Sequence, residues 1–317
     1  YLVIHDLVFQ NSTLNGVNCD DGAEYANGEA NRFVIFRQIE VRNIGSGGNN
    51  DGLKLSGLSD FFILYSVIDS VRSGSGIDCV GCHRGVIAHN LFQNGGANSI
   101  QTKGGSSDID ILWNRFENGG QRAINAGGST GYEYFRPPLQ TVMANTEARR
   151  IRILGNTIVG GENAISFVGV VDGLAAHNTI VNPTRWPIRI LQETVSGGGY
   201  EFLPAQNNVV ENNIFYFSSV QVSSHVNVGG NTSPETFIFR NNLWYAHNSP
   251  SSSTPSLPVT ETGAVIGQNP LFLNLSGGDL HLSPDSPARG RGRTQDYLSH
   301  DRGGEAFTNP PTIGAYQ

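Results

Sequence analysis

Only two lysines, Lys54 and Lys103, occur among 317 residues. Both fall in short segments that align without gaps: Gly16-Val-Asn-Cys-Asp, Gly52-Leu-Lys-Leu-Ser, Gly76-Ile-Asp-Cys-Val, Ser99-Ile-Gln-Thr-Lys, Ala123-Ile-Asn-Ala-Gly, Ala164-Ile-Ser-Phe-Val and Pro187-Ile-Arg-Ile-Leu. Stacked as neighbouring strands, they place Asn18, Lys54, Asp78, Gln101, Asn125, Ser166 and Arg189 in one row. Two residues further on lie Asp20, Ser56, Val80 and Lys103. Just ahead of the motifs lie Asp51, Asn98, Arg122 and Trp186. Ammonium, guanidinium, carboxylate and carboxamide groups on one face suit proton abstraction next to a carboxylate. A cation or metal offsets the carboxylate, and a lysine among other cations can serve as the base. An ordinary solvated sheet face is the competing reading of the row.

The elements that must position these side chains follow from alternation. In a strand, successive side chains point to opposite sides. Val17, Leu53, Ile77, Ile100, Ile124, Ile165 and Ile188 then form one interior stack, and Cys19, Leu55, Cys79, Thr102, Ala126, Phe167 and Ile190 the next. A second token, an apolar stretch followed by Asn and a Gly-rich turn, recurs at Asn90, Asn114, Asn156, Asn178, Asn213 and Asn242, in steps of 22 to 24 residues where no loop intervenes. Asparagine repeated at one turn position predicts a side-chain ladder along the stacking axis. A unit of this length with two or three short strands reads as a parallel β-helix, an all-β solenoid. Residues 1–250 are expected to form the solenoid, and 251–317 a C-terminal segment that caps its open end, where bare strand edges need cover.

Composition narrows the classes. A net charge of -7 argues against a nucleic-acid partner, and no run of about 18 apolar residues suggests a membrane span. A monomer is expected. Tyr1 opens directly into a strand-like run, so a processed or trimmed N-terminus is expected, and no N-terminal cap is recognisable. The three cysteines form no disulfide framework: Cys19 and Cys79 fall two coils apart, about 9.6 Å at about 4.8 Å per strand, beyond disulfide reach. Cys79-Val-Gly-Cys82-His83 matches a c-type haem attachment pattern, but it lies inside a β repeat. A buried apolar role for Cys79 is the preferred reading, and zinc is disfavoured because no second ligand pair has matching spacing.

With these repeats, the chain resembles the right-handed parallel β-helix proteins of the pectin-lyase-like superfamily over most of residues 1–250. The tokens Asn269-Pro-Leu-Phe, Asp279-Leu-His-Leu, Ser286-Pro-Ala and Pro311-Thr-Ile-Gly-Ala-Tyr resemble the ending of secreted bacterial β-helix proteins, departing from it at Arg289-Gly-Arg-Gly. This implies an extracellular or periplasmic location. The run from Asn98 to Phe116 around Lys103 is similar to the lysine coil of the β-helix lyase family that includes alginate lyases and chondroitinase B. That resemblance implies Lys103 as base, an arginine from the next coil as acid, and calcium held by acidic and amide residues. The arginine position falls near Ala126 or Gly127, whereas Arg122 begins that strand. Asp78 and Asp51 are the candidates for a metal.

Two insertions, 129–147 and 193–206, follow the same strand and could wall a groove. They carry Tyr132, Tyr134, Phe135, Arg136, Tyr200 and Phe202, and aromatic rings beside polar groups suit sugars. A basic groove on an acidic protein suits an acidic, uronate-containing polysaccharide. The expected chemistry is β-elimination, with Lys103 as base and Arg122 as acid or carboxylate clamp. Lys54, Asp78, His83, Arg84, Asn98, Gln101, Asn125, Tyr132, Tyr134, Arg136 and Arg189 are expected to bind substrate. Three alternatives stand beside this reading. A hydrolase would need paired carboxylates and could draw on His83. A carbohydrate-binding solenoid would show no turnover. An epimerase would share the first proton abstraction, although the Asp-Pro-His signature associated with that family is absent.

Overall fold

A computed structural model describes all 317 residues. The chain forms a right-handed parallel β-helix with three long faces: a twelve-stranded, a ten-stranded and an eight-stranded sheet. The eight-stranded sheet carries the aligned segments as Val17–Asp20, Leu53–Ser56, Ser75–Val80, Asn98–Lys103, Arg122–Gly127, Asn163–Val168 and Trp186–Leu191, with Val226–Val228 added at its end. Each strand pairs in parallel with its equivalent one coil away. Asn18, Lys54, Asp78, Gln101, Asn125, Ser166, Arg189 and Asn227 therefore stand in one continuous register.

The interior accounts for the alternation. Leu53, Ile77, Ile100, Ile124, Ile165 and Ile188 are wholly buried within one continuous apolar core. Cys79 and Cys82 are buried in the same core, pointing away from solvent. Cys19 and Cys79 each pair with Leu55, which puts them two coils apart.

The asparagine ladder forms as the spacing predicts. Asn90, Asn114, Asn156, Asn178 and Asn213 each accept, through Oδ1, the backbone N–H of the equivalent residue one coil earlier. Asn114 Oδ1 takes Asn90 N–H at 2.9 Å, and Asn156 Oδ1 takes Asn114 N–H at 2.8 Å. Each Nδ2 donates to an inward carbonyl, as Asn114 does to Ile87 at 2.8 Å. Glu261 ends the ladder by accepting from Asn242 N–H and Nδ2. Interior turn positions thus keep their polar groups paired, which burial requires.

The register slips once. Between Gln101 and Thr102 the ladder shifts, so Thr102 pairs with Gly127 in place of Ala126. Gly127 has φ +83°, and a Cβ there would collide with the Val168 carbonyl. Only glycine tolerates that approach. The extra residue, Ala126, lies on the strand next to Lys103, whose own register with Val80 is unbroken.

The segment beyond residue 250 divides its work. Leu257 and Val259 pack on the end of the core, and Val265–Ile266 adds one more parallel strand. The rest runs back along the flank. Gly278 O accepts from Arg115, Arg293 N–H bonds Asn212 Oδ1, and Ala315 N–H bonds Thr179 Oγ1. No helix is long and apolar enough to cross a membrane.

Candidate functional site

A cleft of about 660 Å³ opens over the N-terminal half of the eight-stranded sheet, a size suited to small-molecule or oligosaccharide recognition. Its floor is Lys54, Ser56, Val80 and Lys103, from three successive strands. One wall is the turn after Val17–Asp20, with Asp20, Asp21 and Tyr25. The other is the start of the first insertion, with Ser129, Thr130, Tyr134 and Arg136.

The two lysines share a buried aspartate. Lys54 Nζ bonds Asp78 Oδ2 and lies 3.3 Å from Asp51 Oδ2. Lys103 Nζ lies 3.4 Å from the same Asp78 oxygen and 3.4 Å from Gln101 Oε1. Both aspartate side chains are fully buried. Burial, with the neighbouring Asp78 charge, pushes the Asp51 carboxyl above the ordinary range, although Lys54 opposes the shift. Burial draws Lys54 downward, but Asp78 and then Asp51 outweigh it, so its ammonium is held charged. Two ammonium groups facing the cleft thus meet two buried carboxylates, a setting in which removing a partner is costly.

Calcium does not fit this set. It takes about six to eight oxygen ligands. The two candidate carboxylates, Asp51 and Asp78, both converge on Lys54 Nζ, which stands where a cation would, and no third His, Cys, Asp or Glu joins them.

The remaining candidates separate into groups. Asn98 and Gln101 form a side-chain network with Ser75, Asn98 Nδ2 donating to Ser75 Oγ at 3.1 Å, and none of the three lines the cleft. Arg122 pairs with Asn98 in register, five residues before Lys103 on the neighbouring strand. Its guanidinium leans back towards Asn125 at 3.0 Å and binds Glu193 at 2.6 Å. Neither Arg122 nor Asn125 lines the cleft. Arg189 stands three strands beyond Lys103, stacked on Trp186 at 4.3 Å and bonded to Asn227. Arg84 turns away onto Asp60 and Glu29. His83 accompanies Ser107 and lines a smaller adjoining cavity of about 180 Å³. Burial pulls its imidazole below the ordinary range.

The insertions do not wall the groove symmetrically. Tyr134 and Arg136 of the first face the cleft. Tyr132 packs against Tyr200 and Phe202 of the second and donates to Val195 O at 3.1 Å. The second insertion therefore props the first from behind. Buried Glu147 fastens both to the lysine turn. Its carboxylate accepts from Gly104 N–H and Thr130 Oγ1, each at 2.9 Å, and from Thr194 Oγ1. Burial raises this carboxyl despite those donors. The sequence pattern did not reveal Glu147, Asp21 or Tyr25, since none occupies a repeated position.

No family model matches the chain, and no curated protein does. Among solved structures, the chain is similar to the Dettilon tailspike protein, at 14% identity and TM-score 0.43, over 82% of this chain and 60% of that one. It is similar to pectate lyase Pel9A, at 12% identity and TM-score 0.43, over 91% of this chain and 68% of that one. A tailspike protein of E. coli bacteriophage HK620, crystallised as a double mutant, has 12% identity and TM-score 0.35, over 76% of this chain and 58% of that one. The chain thus spans about three fifths of the length of either tailspike. The fold rests on the chain's own strand pairing.

Proposed function

We propose that the protein binds an acidic, uronate-containing polysaccharide in the cleft and cleaves it by β-elimination, as a monomer acting outside the cytoplasm. One observation carries the reading: the chain's only two lysines meet over one buried aspartate on the floor of a cleft rimmed by Tyr25 and Tyr134. Aromatic faces and cations together suit an anionic sugar.

The lysines divide the work. Lys54 is tied to two carboxylates, so it is the fixed positive charge that faces the sugar carboxylate. Lys103 holds only longer contacts and is the base. Its Nζ takes the proton α to the carboxylate. The freed electron pair forms the new carbon–carbon double bond as the bond to the leaving oxygen breaks, and that oxygen takes a proton from an acid, either Arg122 or solvent water. Arg122, as acid or carboxylate clamp, would have to give up its contact with Glu193 and turn into the cleft, which it does not line. Hydrolysis is less well supported, because it requires two reachable carboxylates. Asp51 and Asp78 are buried and paired, and Asp21 is held by Arg136, which leaves Asp20 as the one reachable carboxylate of the cleft wall.

The test is ultraviolet absorbance of the unsaturated uronate during incubation with a panel of uronate polymers, with reducing ends counted in parallel. Absorbance should rise, and Lys103→Ala should slow it by about 10²- to 10⁴-fold, the usual contribution of a general base. Full turnover by that variant refutes the mechanism. New reducing ends without absorbance identify a hydrolase instead.

A further inference from the structure

The cleft is closed along one side by a contact between segments far apart in sequence. Asp21, after the first strand of the sheet, receives Arg136 of the insertion through Nε at 2.6 Å and Nη2 at 3.0 Å. The guanidinium stacks on Tyr25 at 4.1 Å, and Arg136 N–H is anchored to Gly104 O at 3.0 Å. Arg136 outweighs the effect of burial and holds the Asp21 carboxyl below the ordinary range, so the pair is ionised.

This strap lies over a bed of turn glycines from successive coils. A Cβ at Gly57 would collide with the Asp21 carboxylate, one at Gly81 with the Arg136 side chain, and one at Gly105 with the Arg136 carbonyl. All three have positive φ, so both backbone and space demand glycine there. A bidentate, mostly buried pair of this kind is geometrically specific. Behind it lies the smaller cavity with His83.

Along the helix axis the floor is three strands wide, about 10 Å between the outer two at about 4.8 Å per strand. It ends at the Asp20–Tyr25 turn on one side and at Ser129–Tyr134 on the other, and the strap joins the two walls. We infer that the cleft is a chain-end pocket: it takes the terminal sugars of an acidic glycan, and the Asp21–Arg136 strap excludes a polymer running through. The inference rests on the proposed glycan reading and adds where on the chain the protein acts.

The test measures binding of fluorescent-tagged oligouronates to the full chain by anisotropy, with product sizes read from the same samples. The ligands are a short oligomer, a long one, and the long one carrying a bulky cap at both ends. Equal affinity per molecule for short and long chains, with at least about tenfold weaker binding of the capped chain, supports the inference. Asp21→Ala should then recover binding of the capped chain. Tight binding of the capped chain by the unaltered protein, or early release of mid-length fragments, overturns it whether or not Asp21→Ala folds. End-specific binding without unsaturated product supports the pocket and removes the elimination chemistry. No binding to any uronate overturns both.

Discussion

Lys54→Met keeps the aliphatic stem and deletes the charge on which two buried carboxylates converge. Removing one partner of a buried pair costs about 3–5 kcal/mol, because the other charge is left without compensation. Asp78 retains Lys103 at 3.4 Å, whereas Asp51 keeps only the Ser75 N–H at 2.7 Å and no cation. The lower part of the range, about 3 kcal/mol, is therefore expected. With an unfolding entropy of about 2.1 cal/mol/K per residue over 317 residues, or about 0.7 kcal/mol/K, this is a fall in Tm of about 4 °C. The pH dependence follows from Asp51, whose carboxyl already lies above the ordinary aspartate range in the folded protein. A raised folded pKa means that the native state binds more protons than the unfolded chain just above that range. Its stabilising contribution is complete below the unfolded value and is lost as pH rises through the folded one. Deleting Lys54 removes a lowering influence and widens that window. The deficit of Lys54→Met should thus be largest at neutral pH and shrink on acidification towards the ordinary aspartate range. Urea unfolding of both proteins across that interval measures it. A neutral-pH loss below about 1 kcal/mol, the size of an exposed pair, or a deficit that grows with acid, refutes the electrostatic account.

Two further substitutions address the scaffold. Asn114→Ala removes the acceptor of the Asn90 N–H and the donor to the Ile87 carbonyl, both buried. At about 1–3 kcal/mol per orphaned group, a loss of about 3 kcal/mol is expected in chemical unfolding, and a loss under about 0.5 kcal/mol would mean that the ladder is dispensable. Glu147→Ala orphans the Gly104 N–H and the Thr130 and Thr194 hydroxyls. It should speed protease cleavage within 129–147 and 193–206 while sparing the solenoid. The buried carboxyl is raised, so its contribution declines as pH climbs past the ordinary glutamate range, and the variant's stability should vary less with pH there. Unchanged cleavage would remove Glu147 from the support of the cleft.

Position in the repeat was legible wherever side chains stack on their own equivalents. The row from Asn18 to Arg189 and the asparagine ladder depend only on spacing, and spacing survives loop insertion. The slip at Thr102 was not legible, because unbroken alternation puts Ala126 inward and Gly127 outward without conflict, and the deciding contact is with the Val168 backbone. The walls escaped for a related reason. Asp21, Tyr25 and Glu147 lie outside the repeat and act through partners more than 40 residues away, such as Arg136 and Gly104. Arg84 stood close to the row in sequence, but positive φ at the corner turns it onto the adjoining face.

Every cation of the cleft already has a carboxylate, whereas Asp20 on its wall has no basic partner. Lys54 and Lys103 meet Asp51 and Asp78, and Arg136 meets Asp21. An anionic sugar therefore finds no bare cation on this floor and has to displace a carboxylate contact. The Lys54 and Arg136 contacts are short or bidentate and backed by burial, so exchanging them is costly. The contacts of Lys103, at 3.4 Å to Asp78 and to Gln101, are the longest of the set. They are the ones a ligand can exchange at least cost. Lys103 is thus the point at which binding an anion and freeing a side chain for proton transfer coincide, while Lys54 remains fixed beneath it.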